Sequence, residues 1–549
     1  MSVRMFNLAD LFELAVDAVP ERDALVADPD RLTYRQLEAR SNRFAHYLQG
    51  KGIKPGEFVG ILARNRAEWV EAMIGCFKSR TVPINLNYRY VAPELRYVID
   101  NADLVALVYE AALAPLVAES LVGRQPPRVL MVIDDGTPVS DDGTRVSDDG
   151  VGLGADDYEA ALASTSPERD FDPRSPDDLY VLYTGGTTGM PKGVMWRQED
   201  IFFAAMGGGG WGRQPVETAD EMTERIPTDD AAKMSILALA PLMHGNAQWA
   251  MWNALVMGGT TVIYTEPAFD ADKVLHLVDR ERVVSVSLVG DAMGRPLAEA
   301  LARSPGRYDT SSVAAVSSGG ARFTDTVKAE LGAQLPNVMV MDQFGSSESG
   351  AHGSIAVGAE GPRFAMNKET SVLDEDLKPL EPGDGRIGRL ARSGRVPLGY
   401  FKDEAKTAAT FPVDTDGVRW SIPGDLATIE ADGVITVHGR GSGSINSGGE
   451  KIFPEEVEAA VKTHPGVYDA IVVGVPDEVF GERVAVAVRP RPDVAITLEE
   501  LQDHCRKQVA GYKIPRQLLL VEGIPQTAAG KPDARAAKAL FEATQSPGA

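Results

Sequence analysis

Seven short apolar runs, each bounded by turn residues, punctuate the chain: Phe58–Leu62, Leu104–Val108, Val129–Ile133, Leu179–Tyr183, Val283–Val289, Val313–Val316 and Val338–Met341. Helical patterns lie between them, and most of the runs are unbroken by polar residues. Strands of that kind are covered on both faces, which is the environment of mostly parallel strands joined by helices. Leu8, Leu11, Phe12 and Ala15 recur at helical spacing, as do residues from Leu37 to Gln49. At 549 residues the chain exceeds what one hydrophobic core serves. The pattern predicts an α/β protein with a large N-terminal domain of several subdomains, residues 1–440.

The texture changes after that. Leu426–Glu430 and Gly433–His438 flank Ala431-Asp-Gly433, a hairpin signal. Gly439-Arg-Gly-Ser-Gly-Ser444 follows, small enough to act as a hinge. Beyond it come a helix from Pro454 with proline in its first turn, strands Ala470–Val475 and Val484–Arg489, and a helix opened by the capping box Thr497-Leu-Glu-Glu500. Residues 441–549 are therefore predicted to form a small mobile α+β domain.

With 79 acidic and 55 basic residues the net charge is −24, which argues against nucleic acid and anionic lipid as partners. The two cysteines, Cys76 and Cys505, lie far apart without metal-ligand spacing, so a reducing, cytoplasmic setting is expected. The apolar region Ser235–Tyr264 is broken by His244, Asn246, Gln248 and Asn253, too polar for an integral membrane segment. Asn7, Asp10, Glu13 and Asp17 speak against a signal peptide. The acidic repeat over 134–150 lacks a calcium-loop pattern and reads as a solvated surface loop. Homo-oligomerisation is left open by these features.

One strand ends in unusual chemistry. Tyr183-Thr-Gly-Gly-Thr-Thr-Gly-Met-Pro-Lys-Gly193 combines glycines that let backbone approach a ligand with threonine hydroxyls and a lysine, a composition suited to cradling phosphate. It is not a Walker A loop, since Pro191 precedes Lys192 and Gly193 follows it, and it is not a G-x-G-x-x-G fingerprint.

This segment resembles the phosphate-binding signature of the adenylate-forming superfamily, which includes acyl-CoA synthetases, luciferases and peptide-synthetase adenylation domains. The resemblance extends through further motifs in the expected order and spans nearly the whole chain. It implies that Thr184, Gly185, Gly186, Thr187, Thr188, Gly189 and Lys192 hold the triphosphate of ATP. Ser318-Gly-Gly-Ala321 resembles the loop whose backbone, at Gly319, Gly320 and Ala321, lies against adenine. Gln343-Phe-Gly-Ser-Ser-Glu348 resembles the aromatic-Gly-x-Thr-Glu motif, with Phe344 facing adenine, Gly345, Ser346 and Ser347 beside it, and Glu348 as the Mg²⁺ ligand. Ile422-Pro-Gly-Asp425 resembles the Thr-Gly-Asp motif that binds ribose through Asp425, with proline replacing threonine. Arg440 matches a nucleotide-contacting arginine. Ser442 stands where the family's hinge residue is often aspartate or lysine, which leaves the pivot open. Gly448, Gly449 and Lys451 match the surface lining the CoA path, whereas Asn446, often lysine in relatives, receives no contact. His244 in Pro241-Leu-Met-His-Gly245 matches the histidine beside the acyl pocket. Lys531 in Pro525-Gln-Thr-Ala-Ala-Gly-Lys531 matches the catalytic lysine, whose charge would offset the negative charge gathered as carboxylate attacks the α-phosphate.

The implied activity is two-step: a small-molecule carboxylic acid and Mg-ATP give acyl-AMP and pyrophosphate, then CoA displaces AMP. The texture looks closest to actinobacterial fatty-acyl and steroid side-chain CoA ligases, and between these acids the sequence does not choose. Three rivals are an acyl-AMP ligase serving a carrier protein, a peptide-synthetase module and a non-catalytic nucleotide-binding protein. The second is disfavoured by the short run past Lys531. The third is disfavoured by the joint presence of Lys192, Glu348, Asp425, Arg440 and Lys531. Nothing points to luciferase-like oxygen chemistry. Trp249, Met251 and Trp252 near His244, and Gly207–Gly210 with Trp211, fit either a roomy acyl pocket or ordinary core packing, and packing is the safer expectation.

Overall fold

The structure is a computed structural model that describes every residue except 1–5, 137–152, 185–189, 210–212, 231–232, 322, 336, 357–362, 441–442, 444, 448–449, 478–480, 510, 528–529 and 546–549. Most of the acidic repeat, the glycines and threonines at 185–189, Gly210, Trp211, Ser442, Gly448 and Gly449 thus lie outside the described residues.

The apolar runs form the middle of two eight-stranded sheets. In the first, Met339–Ser346, Ala315–Gly319, Ser285–Leu288, Ser235–Ala238, Thr260–Ile263 and Asp23–Ala27 lie side by side and parallel, with antiparallel Gly350–Ala356 and Asp30–Thr33 at the edges. In the second, Leu179–Thr184, Val82–Asn85, Phe58–Leu62, Ala106–Glu110, Val129–Ile133 and Asp156–Asp157 are parallel. Phe58–Leu62 and Val129–Ile133 are buried at every position, the double-sided burial that their unbroken apolar character predicts. The expected α/β class is the observed one.

Two details go beyond the sequence reading. The apolar region Ser235–Tyr264 is not one element: strand Ser235–Ala238 and strand Thr260–Ile263 enclose the helix Gly245–Val256. Pro241 and the Gly258-Gly259 pair break it, and a Cβ on Gly259 would stand 2.5 Å from the Met234 carbonyl oxygen. Secondly, the glycine-rich segment joins two antiparallel strands, Leu179–Thr184 and Lys192–Arg197, with Thr184 opposite Lys192. The described residues on either side of it are thus neighbouring strands of one sheet.

Met251 and Trp252 are fully buried in the largest core cluster, and Trp249 packs against it, so these side chains are core. A five-stranded antiparallel sheet follows, ordered Arg363–Ala365, Val434–Arg440, Asp425–Ile429, Gly388–Arg392, Thr370–Leu373. The last sheet contains Ile445–Ser447, Glu450–Ile452, Val467–Asp477, Gly481–Pro490 and Gln517–Leu520, with helices Pro454–Lys462, Leu498–Cys505 and Ala534–Gln545. The capping box read at Thr497 is present, with Thr497 Oγ1 accepting from the Glu500 amide. Among the described residues no helix is long and apolar enough to cross a membrane.

Candidate active site

The carboxyl ends of the two parallel sheets are stitched together by two asparagines. Asn65, just beyond Phe58–Leu62, donates from Nδ2 to the carbonyls of Ala240 and Tyr264, each at 3.2 Å, and its Oδ1 accepts from Leu242 N at 2.7 Å. Asn85 ends the strand Val82–Asn85 and is buried. Its Nδ2 donates to Tyr183 O at 2.9 Å and Met243 O at 2.6 Å, while Oδ1 accepts from Tyr183 N at 2.8 Å. One side chain therefore fixes the entry to the predicted phosphate loop beside the residue preceding His244. Ligands of open α/β sheets collect at such strand ends.

His244 is half-buried and sits at the N-cap of the helix Gly245–Val256, its amide bonded to Pro241 O at 2.9 Å. Asn246, on the first turn, donates to Gly319 O at 3.3 Å and Leu288 O at 3.4 Å. The predicted adenine loop is thereby joined to the histidine loop. Gly320 has φ +85°, a conformation that favours glycine, and Ser318 Oγ accepts from Gly290 N at 2.8 Å to anchor the strand end. Ala321, partly buried, follows Gly320 immediately.

Lys192 opens its strand and extends Nζ to Asp403 Oδ2 at 2.6 Å, while Nζ also lies 5.6 Å from the centre of the Tyr400 ring. The Tyr400 hydroxyl donates to Glu348 Oε1 at 3.0 Å. Two residues predicted from separate motifs, Lys192 and Glu348, are thus bridged by one aromatic ring. The Lys192 hydrogen bond holds the Asp403 carboxyl below its ordinary range, helped by the Lys406 amide.

The loop before Glu348 is held from both sides. Trp196 Nε1 donates to Ser347 O at 2.9 Å, and Ser346 Oγ meets Ser349 Oγ at 3.0 Å. Gly345 is required by close approach, since a Cβ there would stand 2.3 Å from Gly350 O. Phe344 is half-buried with one ring face stacked on Phe364, centroids 5.6 Å apart, and His352 packs at 5.9 Å. Ser421 Oγ donates to the Glu348 carbonyl at 2.6 Å, tying the Ile422–Asp425 turn to the same loop. Asp425 stands directly opposite Arg440 in the strand register.

Lys531 is exposed on a small loop in which Thr527 N donates to Lys531 O at 2.7 Å and Gly530 N to Thr527 O at 2.8 Å. Gly530 meets the large domain: a Cβ on it would lie 2.9 Å from a guanidinium nitrogen of Arg89, four residues beyond Asn85. Lys451 lies on the short strand Glu450–Ile452, paired with Asn446.

Asn65, Asn85, Tyr400, Asp403 and Ser421 were missed by motif reading. Asp403 was masked by its second role. It caps the helix Glu404–Thr410 through Oδ1 and Lys406 N at 2.9 Å, so Asp-Glu-Ala-Lys reads as an ordinary helix start. Gly399-Tyr400 offered a weak signal, a glycine before a tyrosine in a loop.

Residues 12–401 match the family described as AMP-binding enzyme, and residues 456–531 match the AMP-binding enzyme C-terminal domain. The chain belongs to the AMP-binding enzyme family. A 3-oxocholest-4-en-26-oate--CoA ligase of Rhodococcus rhodochrous is 46% identical to it over 547 residues, covering 97% of this chain and 95% of that protein. A medium/long-chain-fatty-acid--CoA/3-oxocholest-4-en-26-oate--CoA ligase of Mycolicibacterium smegmatis is 46% identical over 545 residues, covering 98% and 96%. The crystal structure of the anthranilate CoA ligase AuaEII with anthranoyl-AMP superposes with a TM-score of 0.82 at 23% identity, over 99% of both chains. The o-succinylbenzoate CoA synthetase MenE of Bacillus subtilis, with its acyl-adenylate intermediate, gives 0.76 at 23% identity over 96% and 97%. These two likenesses establish the fold.

In this AMP-binding enzyme a buried cation braces the Glu348 turn. Arg392 donates from Nη1 to the carbonyls of Ala204, Ser349 and Ala351, and from Nη2 to Glu369 Oε2 at 2.6 Å. His352 is only 2% exposed nearby, and burial pushes its imidazole down to about 3, with the Arg392 charge adding to the effect. Unfolded, His352 takes up a proton as pH falls through about 6.5; folded, it resists until about 3. The unfolded state therefore binds more protons across that window, and stability falls with falling pH. At pH 5 this costs about 2 kcal/mol, so His352→Gln should flatten the change in unfolding free energy between pH 7 and 5 by that amount in denaturant titration. Replacing Asn85 by alanine leaves Tyr183 and Met243 backbone groups short of partners in a buried setting. A loss of about 3 kcal/mol is expected in denaturant titration, with adenylate formation falling alongside.

Proposed function

We propose that this chain is an AMP-forming acyl-CoA ligase that activates a steroid side-chain or medium- to long-chain fatty carboxylate. The observation that carries the reading is the bridging of Lys192 and Glu348 by Tyr400 at the stitched strand ends, where the triphosphate loop begins. The acid class comes from the relatives, which share 45–46% identity over nearly their whole length and are named for those acids.

In the first step a carboxylate oxygen attacks the α-phosphorus of ATP, the bond to the β-phosphate oxygen breaks, and pyrophosphate leaves. The backbone and hydroxyls at 184–189 cradle the phosphates, and Lys192 exchanges Asp403 for the β- and γ-phosphates. Adenine is held by Gly319, Gly320, Ala321, Phe344, Gly345, Ser346 and Ser347, and Asp425 accepts the ribose hydroxyls beside Arg440. His244, at the N-cap where both sheets meet, borders the acyl end. Magnesium supplies charge neutralisation for the phosphates and favours hard oxygen donors such as the Glu348 carboxylate. Among the described residues no group of three or more His, Cys, Asp or Glu is gathered to hold a metal, so phosphate and water would complete its shell. Lys531 brings positive charge to the oxygens that crowd together as the acyl–phosphate bond forms.

The second step needs the CoA thiol to attack the acyl carbon and expel AMP. A small domain of residues 441–549 carrying Lys531 can leave after the first step and present Gly448, Gly449 and Lys451 to CoA. Strand pairing supports a boundary after residue 440. Val434–Arg440 belongs to the five-stranded sheet, and Ile445–Ser447 opens the last one.

Lys531→Ala should slow pyrophosphate release at least about a hundredfold while CoA transfer from supplied acyl-AMP is largely retained. The reading itself is checked by measuring AMP and CoA thioester across fatty and sterol side-chain acids. Accumulation of acyl-AMP without CoA consumption would overturn it in favour of an acyl-AMP ligase.

A further inference from the structure

The turn Gly399–Asp403 lies outside every motif read from the sequence, yet it touches both ends of the phosphate site. It is built firmly. Gly399 and Tyr400 pair with Met195 and Val194 on the arm that carries Lys192, and Phe401 N donates to Gly193 O at 2.8 Å. Tyr400 N donates to Thr407 Oγ1 at 2.9 Å, and its ring packs on Phe411 at 5.6 Å. Gly399 has φ +148°, and a Cβ there would lie 2.5 Å from Thr407 Cγ2, so the turn admits no side chain at that point. Tyr400 is 7% exposed. A buried, pinned aromatic ring thus presents its hydroxyl to Glu348 and its face to Lys192.

We propose that Tyr400 is a positioning residue for adenylation. Its hydroxyl orients the Glu348 carboxylate toward the metal-bound triphosphate, and its ring, with Asp403 as counter-ion, holds the Lys192 ammonium at the height the phosphates will occupy. The chemistry favours this arrangement. A glutamate side chain turns about three bonds, and a donor fixed at Oε1 leaves Oε2 directed to a cation. A cation over an aromatic face is held by the ring as well as by its counter-ion, so Lys192 keeps its place when it exchanges Asp403 for the phosphates. The inference rests on the reading of Glu348 as the residue that holds magnesium.

The test uses the full-length chain and a non-hydrolysable ATP analogue, with binding followed by calorimetry as Mg²⁺ is titrated, beside pyrophosphate release from ATP. Tyr400→Phe removes only the hydroxyl. It should raise the Mg²⁺ concentration needed for half-maximal analogue binding by at least about tenfold, the loss expected for one hydrogen bond to a charged group, and leave binding in EDTA unchanged. Glu348→Gln should raise it further, and the double variant should match Glu348→Gln alone, because Tyr400 acts through Glu348. Tyr400→Leu, which also removes the ring, should weaken analogue binding in EDTA by about threefold. If Glu348→Gln shifts the Mg²⁺ requirement but Tyr400→Phe does not, or if the two shifts multiply, the positioning role is wrong. Unchanged EDTA binding in Tyr400→Leu would remove the lysine half of the proposal. If Glu348→Gln leaves the Mg²⁺ requirement unmoved, the reading of Glu348 fails first and takes the inference with it. Circular dichroism and melting of each variant separate these outcomes from loss of fold.

Discussion

Two carboxamides, Asn65 and Asn85, hold the carboxyl ends of the two parallel sheets against one another, and the proposed site hangs on that junction. Asn65 reaches from the second sheet to Ala240, Leu242 and Tyr264, which follow strands of the first, and Asn85 joins Tyr183 of its own sheet to Met243 of the His244 loop. Buried backbone groups without partners are costly, so loops with no regular structure stay in place only when a side chain supplies the missing hydrogen bonds. Asparagine suits this role because one planar group both donates and accepts. The phosphate arm, the His244 loop and, through Asn246, the Gly319 loop inherit their relative positions from these contacts.

From that junction outward the site is assembled by aromatic and charged side chains with two roles each. Asp403 caps a helix and pairs with Lys192; Tyr400 packs on Phe411 and reaches Glu348. Trp196 fills the core yet bonds to Ser347 O. The small domain also meets the large one through the Arg295 guanidinium, 5.7 Å from the centre of the Tyr468 ring, and through Arg491 paired to Glu299 at 3.4 Å.

Much of the architecture was written in local pattern. Phe58–Leu62 and Val129–Ile133 coincide with the observed strands because unbroken apolar runs have no stable place except between two covered faces. The hairpin at Asp432-Gly433 and the cap at Thr497 follow from short-range turn and capping chemistry. Pattern did not reach the division of Ser235–Tyr264 into strand, helix and strand, since composition alone does not say where a strand yields to a helix. The candidate site divided in the same way. Lys192, Glu348, Asp425 and Lys531 were named from motif resemblance, while Asn85, Tyr400, Asp403 and Ser421 carried no signal apart from ordinary loop and cap composition.

What the sequence determined by itself was therefore the class of fold, the order of the motifs and the chemistry each could offer, because those depend on residues near one another along the chain. Only the tertiary structure decided which of them meet. Tyr400 reaches Glu348 across 52 positions and Lys192 reaches Asp403 across 211. Contacts at such separations are fixed by sheet order and by which strand ends face the same side, quantities that no local pattern encodes.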